Sequence, residues 1–247
     1  MAQILTLKRR TVSTGGLSEL VRSHGLTGLV RPASAHVLRS DGVGERILPV
    51  LPELRGLFPA GGLRRGSTVA VALRGPGPFG ATSVLLALLA AASAAGSWCA
   101  VVGMPSLGLV AAAELGIALE RLALVPDPGP EWPSVVAALL DGIDVVVAAP
   151  PGPVPATLAS RLAARARQRG SVLVGYGQWT GADLVLETAG GGWSGLDQGR
   201  GRLSRRALVV SRHGRGAAAR PREATVWIPR DPATPPVESA PLLEATA

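Results

Sequence analysis

The sequence predicts an α/β protein, with a mostly parallel sheet flanked by helices and antiparallel strands added toward the C-terminus. Three observations carry that prediction. Short apolar runs such as VVVAA and VLV lack polar alternation, as strands buried on both faces should. Helical stretches of about 10–15 residues separate them, which is the spacing of parallel crossovers. Aromatic residues make up only 3% of the 247-residue chain against 47% hydrophobic residues. The core must therefore rest on Val, Leu and Ala, which suits a sheet under Ala-rich helices.

The elements follow in order. Residues 1–45 are punctuated by glycines, show no sustained period, and read as a loosely attached arm. The core is expected over 46–230. In "ERILPVLPELRGLFPAGGLRRG" a short helical segment ends in the turn signal at 59–62, and "STVAVALR" reads as a strand. After the loop "GPGPFGAT" come a helix over about 82–95, the strand "WCAVVG", a helix over "LGLVAAAELGIAL" and the short strand "LALV". A third helix over 132–140, a strand ending "DGIDVVVAAP", a fourth helix over "PATLASRLAARARQRG" and the strand "SVLVGYG" complete the alternation. Beyond Gly175 the segments "ADLVLET", "RRALVVSRH" and "EATVWIP" alternate between polar and apolar residues, which predicts antiparallel strands. Residues 231–247 are acidic and Pro-rich and are expected to be disordered.

Composition excludes several classes. Cys99 stands alone, so there is no intramolecular disulfide and no cysteine metal cluster, and the three histidines show no ligand spacing. No metal or cofactor is expected. The run "ATSVLLALLAAASAAGSWCAVVG" is long enough to span a bilayer, but Gly96-Ser97 breaks it into helix, turn and strand. With no secretory leader pattern at the N-terminus, a cytoplasmic protein is expected, with nucleoid association open to it. The net charge of +8 suits a polyanionic or acidic partner. Equally, only Lys8 among 25 basic residues is lysine, so arginine bias of the genome accounts for the same number.

"GPGPFGAT" has the outline of a phosphate-binding loop, G-x-x-x-x-G-K-[ST]. Gly75 and Gly80 stand at the right separation, Thr82 is in place, and the flanking strand and helix give the required context. Ala81 replaces the lysine that would reach the β- and γ-phosphates. Pro78 has no N–H to donate to an anion. Weak phosphate binding through the helix N-terminus is what remains.

The stretch from "AGGLRRGSTVAVALRGPGPFGATS" through "SWCAVVGM", with "AAAELGIALERLALVPDPG" and "GIDVVVAAP" after it, resembles the RecA recombinase core in the order of its parts. The likeness runs over about residues 55–190. It implies a RecA-like P-loop fold. More closely, the whole chain resembles the actinobacterial ImuA-like proteins, RecA-fold relatives that act with the Y-family polymerase homologue ImuB in damage-induced mutagenesis. In the RecA family a catalytic glutamate follows the strand matching "WCAVVG", where this chain has Met104 and Pro105. A metal-binding aspartate closes the strand matching "DVVVAA", where this chain has Ala148 and Ala149. Lysine, glutamate and aspartate are all missing, so the resemblance implies a degenerate P-loop with no ATP hydrolysis. Gln178 stands where the family couples nucleotide to a DNA-binding loop. The segments "PGPVP" and "GYGQWTG" are too short to wrap DNA in the family's manner.

The strongest charge feature lies elsewhere. "RGRLSRRALVVSRHGRGAAARPR" holds eight arginines and no acid, whereas residues 98–150 hold six acids and one arginine. Such a hairpin can neutralise phosphates, with Trp193 or Trp227 stacking a base, or it can be a solvated edge. Arg200, Arg202, Arg205, Arg206, Arg212 and Arg215 are the candidate contacts to nucleic acid or an acidic partner. Asp141 and Asp144 read as solvated turn acids. The sequence thus supports a noncatalytic RecA-like adaptor in SOS translesion synthesis, binding an ImuB-like partner and through it an error-prone replicative-type polymerase. The alternative is a nucleotide-binding regulator or residual NTPase. Self-association is left open.

Overall fold

The computed structural model describes residues 46–72, 80–188, 191–197 and 200–228. The predicted arm (1–45), the tail (231–247) and most of the glycine loop, including Gly75, lie outside the described residues.

A two-stranded ribbon opens the described residues, β1 (Ile47–Leu48) pairing antiparallel with β2 (Leu63–Arg64) around a 3-10 segment, Pro52–Leu57. The short helical segment expected before the turn at 59–62 is this 3-10 run. Prolines at 49 and 52 hold it to a single 3-10 run and leave 47–48 extended. The main sheet then alternates with helices: β3 (Thr68–Ala72), α1 (Ala81–Ala94), β4 (Cys99–Val102), α2 (Leu109–Glu114), β5 (Leu122–Val125), α3 (Trp132–Leu139), β6 (Val145–Ala148), α4 (Ala156–Arg169) and β7 (Val172–Tyr176). It closes with β8 (Leu184–Thr188), β9 (Trp193–Asp197), β10 (Arg200–Gly214) and β11 (Arg222–Ile228).

The strand order is β11-β10-β8-β3-β7-β6-β4-β5, with β9 paired to β10. Strands β8 through β5 in that order are parallel, and β9, β10 and β11 are antiparallel. The predicted architecture is therefore the observed one, with one correction. β8 was expected to be antiparallel, but it pairs parallel with β3 and only its other edge faces antiparallel β10. Its alternating burial reports which side chains are covered, and not the strand's direction.

Side chains alternate between two cores along each central strand. Val69, Val71, Cys99, Val101, Val145, Val147, Val172 and Val174 pack with α1 and with Ala112 of α2. Ala70, Val102, Val146, Ala148 and Leu173 pack instead with Val136 of α3 and with Ala159, Leu162 and Ala166 of α4. Right-handed crossovers require this division. The chain runs outward from β3 through β4 to β5 with its helices on one face, then returns through β6 to β7 with helices on the other. Cys99 is buried at the centre, and burial with the nearby Asp144 pushes its thiol up to about 12, so it is an inert core residue.

Helix ends follow local chemistry. α4 stops at Gly170, whose φ of 71 is the left-handed cap, with Arg167 and Arg169 in the last turn. α2 is shorter than the thirteen residues its apolar run suggested, because Gly116 at φ 90 ends it. Only Ala112 of α2 is buried, and Val110 is 75% exposed. The two turn acids are not simply solvated. Asp141 accepts from Arg165 Nε and Nη2 at 2.8 and 2.5 Å, and from Arg169 Nε at 3.2 Å. The Arg165 hydrogen bond holds its carboxyl below the usual carboxylate range. Asp144 pairs with Arg65 at 2.8 Å and accepts the Trp98 N–H at 2.9 Å. Asp141 thus ties the turn after α3 to α4, and Asp144 ties the start of β6 to Trp98 and Arg65. Among the described residues no helix is long and apolar enough to cross a membrane.

Candidate functional site: the crevice at the carboxyl ends of the strands

Loops that leave adjacent parallel strands toward opposite faces open a crevice at the carboxyl edge. Here β4 feeds α2 on one face while its neighbour β6 feeds α4 on the other. A crevice of about 760 Å³ lies above them. It is lined by Thr82 at the start of α1, residues 103–106 after β4, 126–129 after β5, 149–153 after β6 and 176–178 after β7.

The sequence-predicted residues converge there. Thr82, Met104, Pro105, Ala149 and Gln178 all line the crevice, Ala148 is fully buried at the end of β6, and Gly80 and Ala81 precede Thr82 at the start of α1 without lining it. Gly80 has a φ of 84, and a Cβ there would overlap Leu208 of β10. Only glycine fits this turn against the antiparallel extension. Ala81 is 1% exposed and belongs to the core beneath α1. The Thr82 hydroxyl stands 2.8 Å from the Tyr176 hydroxyl. The group that would face a magnesium ion in a working loop thus already has a partner. Gly103, at φ 84, lies so close to the Ala149 carbonyl that an added Cβ would overlap it. Main chain therefore fills the junction of β4 and β6.

The chemistry of the lining is unusual for an anion site. Asp127 is the one charged residue among the described lining residues, and six prolines, at 105, 126, 128, 150, 151 and 153, supply rigid walls that donate no N–H. Among the described residues no group of His, Cys, Asp or Glu could hold a metal. A magnesium triphosphate needs cations or a ring of amides around its oxygens and an acid behind the metal. The described residues do not fit that group. Sequence reasoning missed Tyr176 and Asp127. Tyr176 is the only tyrosine of the chain and ends the strand "SVLVGYG", which is the signal that could have found it.

The basic hairpin is less available than its sequence suggests. Arg200 is exposed at the start of β10, and Arg202 lies in the same strand with its side chain outside the described residues. The Arg205 guanidinium lies over the Trp227 ring at 5.9 Å and that of Arg206 over Trp193 at 5.6 Å. Both rings named for base stacking therefore already carry a cation. Arg215 is exposed and donates to the Gly181 carbonyl. Arg212 is only 3% exposed, because alternation places it on the core face with Leu208 and Val210.

Every crevice-lining residue falls within 56–181, the span matched by the family model described as the MT3502 N-terminal domain. The chain belongs to this family. A second member of the comparison is a Mycobacterium tuberculosis (strain ATCC 25618 / H37Rv) protein, "Uncharacterized protein Rv3395c", 46% identical over 109 residues. That alignment covers 43% of this chain and 53% of the mycobacterial protein, so the chain spans about half the length of the curated relative it matches. Among solved structures, the RadB recombinase is similar at a TM-score of 0.44 and 16% identity, over 64% of this chain and 86% of that one. The matched span holds the crevice and strands β2 through β7, while β8, β9, β10 and β11 lie beyond it.

Proposed function

We propose that this protein is a noncatalytic RecA-like adaptor in DNA-damage-induced (SOS) translesion synthesis, holding an ImuB-like polymerase homologue and through it an error-prone replicative-type polymerase. The observation that carries the reading is the crevice. At the position where a RecA-type ATPase would hold its nucleotide stand Ala81, Met104, Pro105, Ala148 and Ala149, with the Thr82 hydroxyl turned to Tyr176. A rigid sheet without chemistry serves best as a scaffold for other chains.

Surfaces for a partner are present. Trp98, Leu109, Val110, Leu119 and Leu124 are exposed large apolar residues just before β4, on α2 and β5 and on the segment that joins those two, toward the β5 edge of the sheet. The experiment is a pull-down of an ImuB-like protein by the full chain. Retention at micromolar concentration or tighter, weakened at least ten-fold by deleting residues 1–45 or 231–247, is the expected result. No binding by the full chain would remove the reading. The rival, a nucleotide-binding regulator or residual NTPase, draws on the retained Thr82 at the start of α1, and the nucleotide measurement at the end of the Discussion separates the two.

A further inference from the structure

Arg212 is the most buried charged residue among those described, and none of the ion pairs described among them includes it. In register it lies between Leu186 of β8 and Arg222 of β11. The residues that follow on its face, Leu208, Val210, Leu184, Ala224 and Val226, are apolar. The acids of these strands point the other way. Glu187 and Glu223 both stand opposite Ser211, on the reverse face, and Glu187 lies 3.8 Å from His213 there. Asp183 gives its carboxylate to the Thr68 N–H at 2.9 Å. Glu53, on the 3-10 segment packed over β11, has an interaction of its own.

The Arg212 guanidinium is therefore only partly satisfied. One Nη2 donates to the Arg220 carbonyl, while Nε is buried with no acceptor among the described residues. Burial, and then the like charge of Arg222, push its pKa down from the ordinary arginine value. A buried cation without a counter-charge is costly, and like charges directly opposite on two strands repel. An anion between the two would relieve both costs, and Arg222 is exposed to solvent. Arg220 and Arg215, also exposed, add positive field at the same end of the hairpin.

We propose that Arg212 and Arg222 form an oxyanion site that binds a phosphate group, either free phosphate or the phosphodiester of a nucleic acid. Arg212 supplies the fixed, desolvated charge and Arg222 the accessible fork. The site lies at the opposite end of β10 from Arg200, and it stands independently of the adaptor reading.

The test uses the full chain, with inorganic phosphate and a single-stranded oligonucleotide as separate probes. Phosphate at tens of millimolar is expected to raise the melting temperature by several degrees at constant ionic strength. Arg222→Gln, an exposed substitution that leaves the core intact, should abolish that rise, while Arg161→Gln, exposed on α4, should keep it. If the phosphodiester is the source, the oligonucleotide binds at least ten-fold tighter than phosphate and loses ten-fold or more in R222Q. If free phosphate is the source, the oligonucleotide response is the same in R222Q and the parent, and the phosphate response still disappears. A phosphate response absent from the parent or unchanged in R222Q overturns the proposal. So does a chain that ignores phosphate yet loses stability when Asp231, Glu238 and Glu244 are neutralised, because its own carboxylates would then occupy the arginines.

Discussion

Gly103→Ala is expected to lower the melting temperature by roughly 10 °C. The residue has a φ of 84, a conformation that costs an L-residue about 1 kcal/mol or more. Its missing side chain is also where the Ala149 carbonyl lies, so a methyl group there would overlap main chain and not a movable side-chain tip. Relief requires β4 and β6 to part at their carboxyl ends, where the Ala149 N–H bonds the Val102 carbonyl at 2.9 Å and the Gly103 N–H bonds the Val125 carbonyl at 2.9 Å. Together these effects amount to about 3 kcal/mol, a large share of the roughly 5–15 kcal/mol that stabilises a domain. At this chain length each kcal/mol moves the transition by about 2–4 °C. Thermal unfolding followed by circular dichroism checks it. A shift under 2 °C would mean that the two strand ends are not packed as described.

Ala81→Lys is expected to destabilise strongly and to restore no ATP hydrolysis. By the loop pattern it is the repair mutation, so a damaged but otherwise intact ATPase should gain from it. The structure argues otherwise. Ala81 is 1% exposed and packs in the core with Val84 and Leu85 of its own helix. A lysine there must bury an ammonium group or push the start of α1 away from Leu208, costing on the order of 3 kcal/mol. Even an extended lysine would meet a crevice with no acid at 148 or 149 to hold a metal and none at 104 or 105 to orient water. The expected result is a melting temperature lower by about 5–10 °C and phosphate release at the level of a blank. Turnover appearing in A81K would show that the remaining machinery is present.

Much of the fold was legible because parallel strands buried on both faces leave an unmistakable trace. Val145–Ala148 and Val172–Tyr176 fall inside the runs that predicted them. What the sequence hid has physical causes. Periodicity reports burial and not partner direction, so β8 read as antiparallel although one of its edges is parallel to β3. β9 escaped because Trp193–Asp197 has no regular alternation, and pairing with β10 alone orders it. α2 was overextended because its apolar run continues past Gly116, where the backbone turns left-handed. At the crevice, spacing picked out Thr82, Met104, Pro105 and Ala149, which line it, but not the Thr82–Tyr176 contact, which joins positions 94 residues apart. On the hairpin, counting arginines overstated the accessible charge. Two of the arginines lie over tryptophan rings and one is in the core.

Equilibrium binding of magnesium ATP to the unmodified chain tests the central claim most directly, by calorimetry alongside a sensitive phosphate-release assay on the same preparation. The account predicts no saturable heat at millimolar nucleotide and no release above background. Submicromolar binding with turnover that depends on Thr82 would contradict it, and would make this crevice an ATPase site after all.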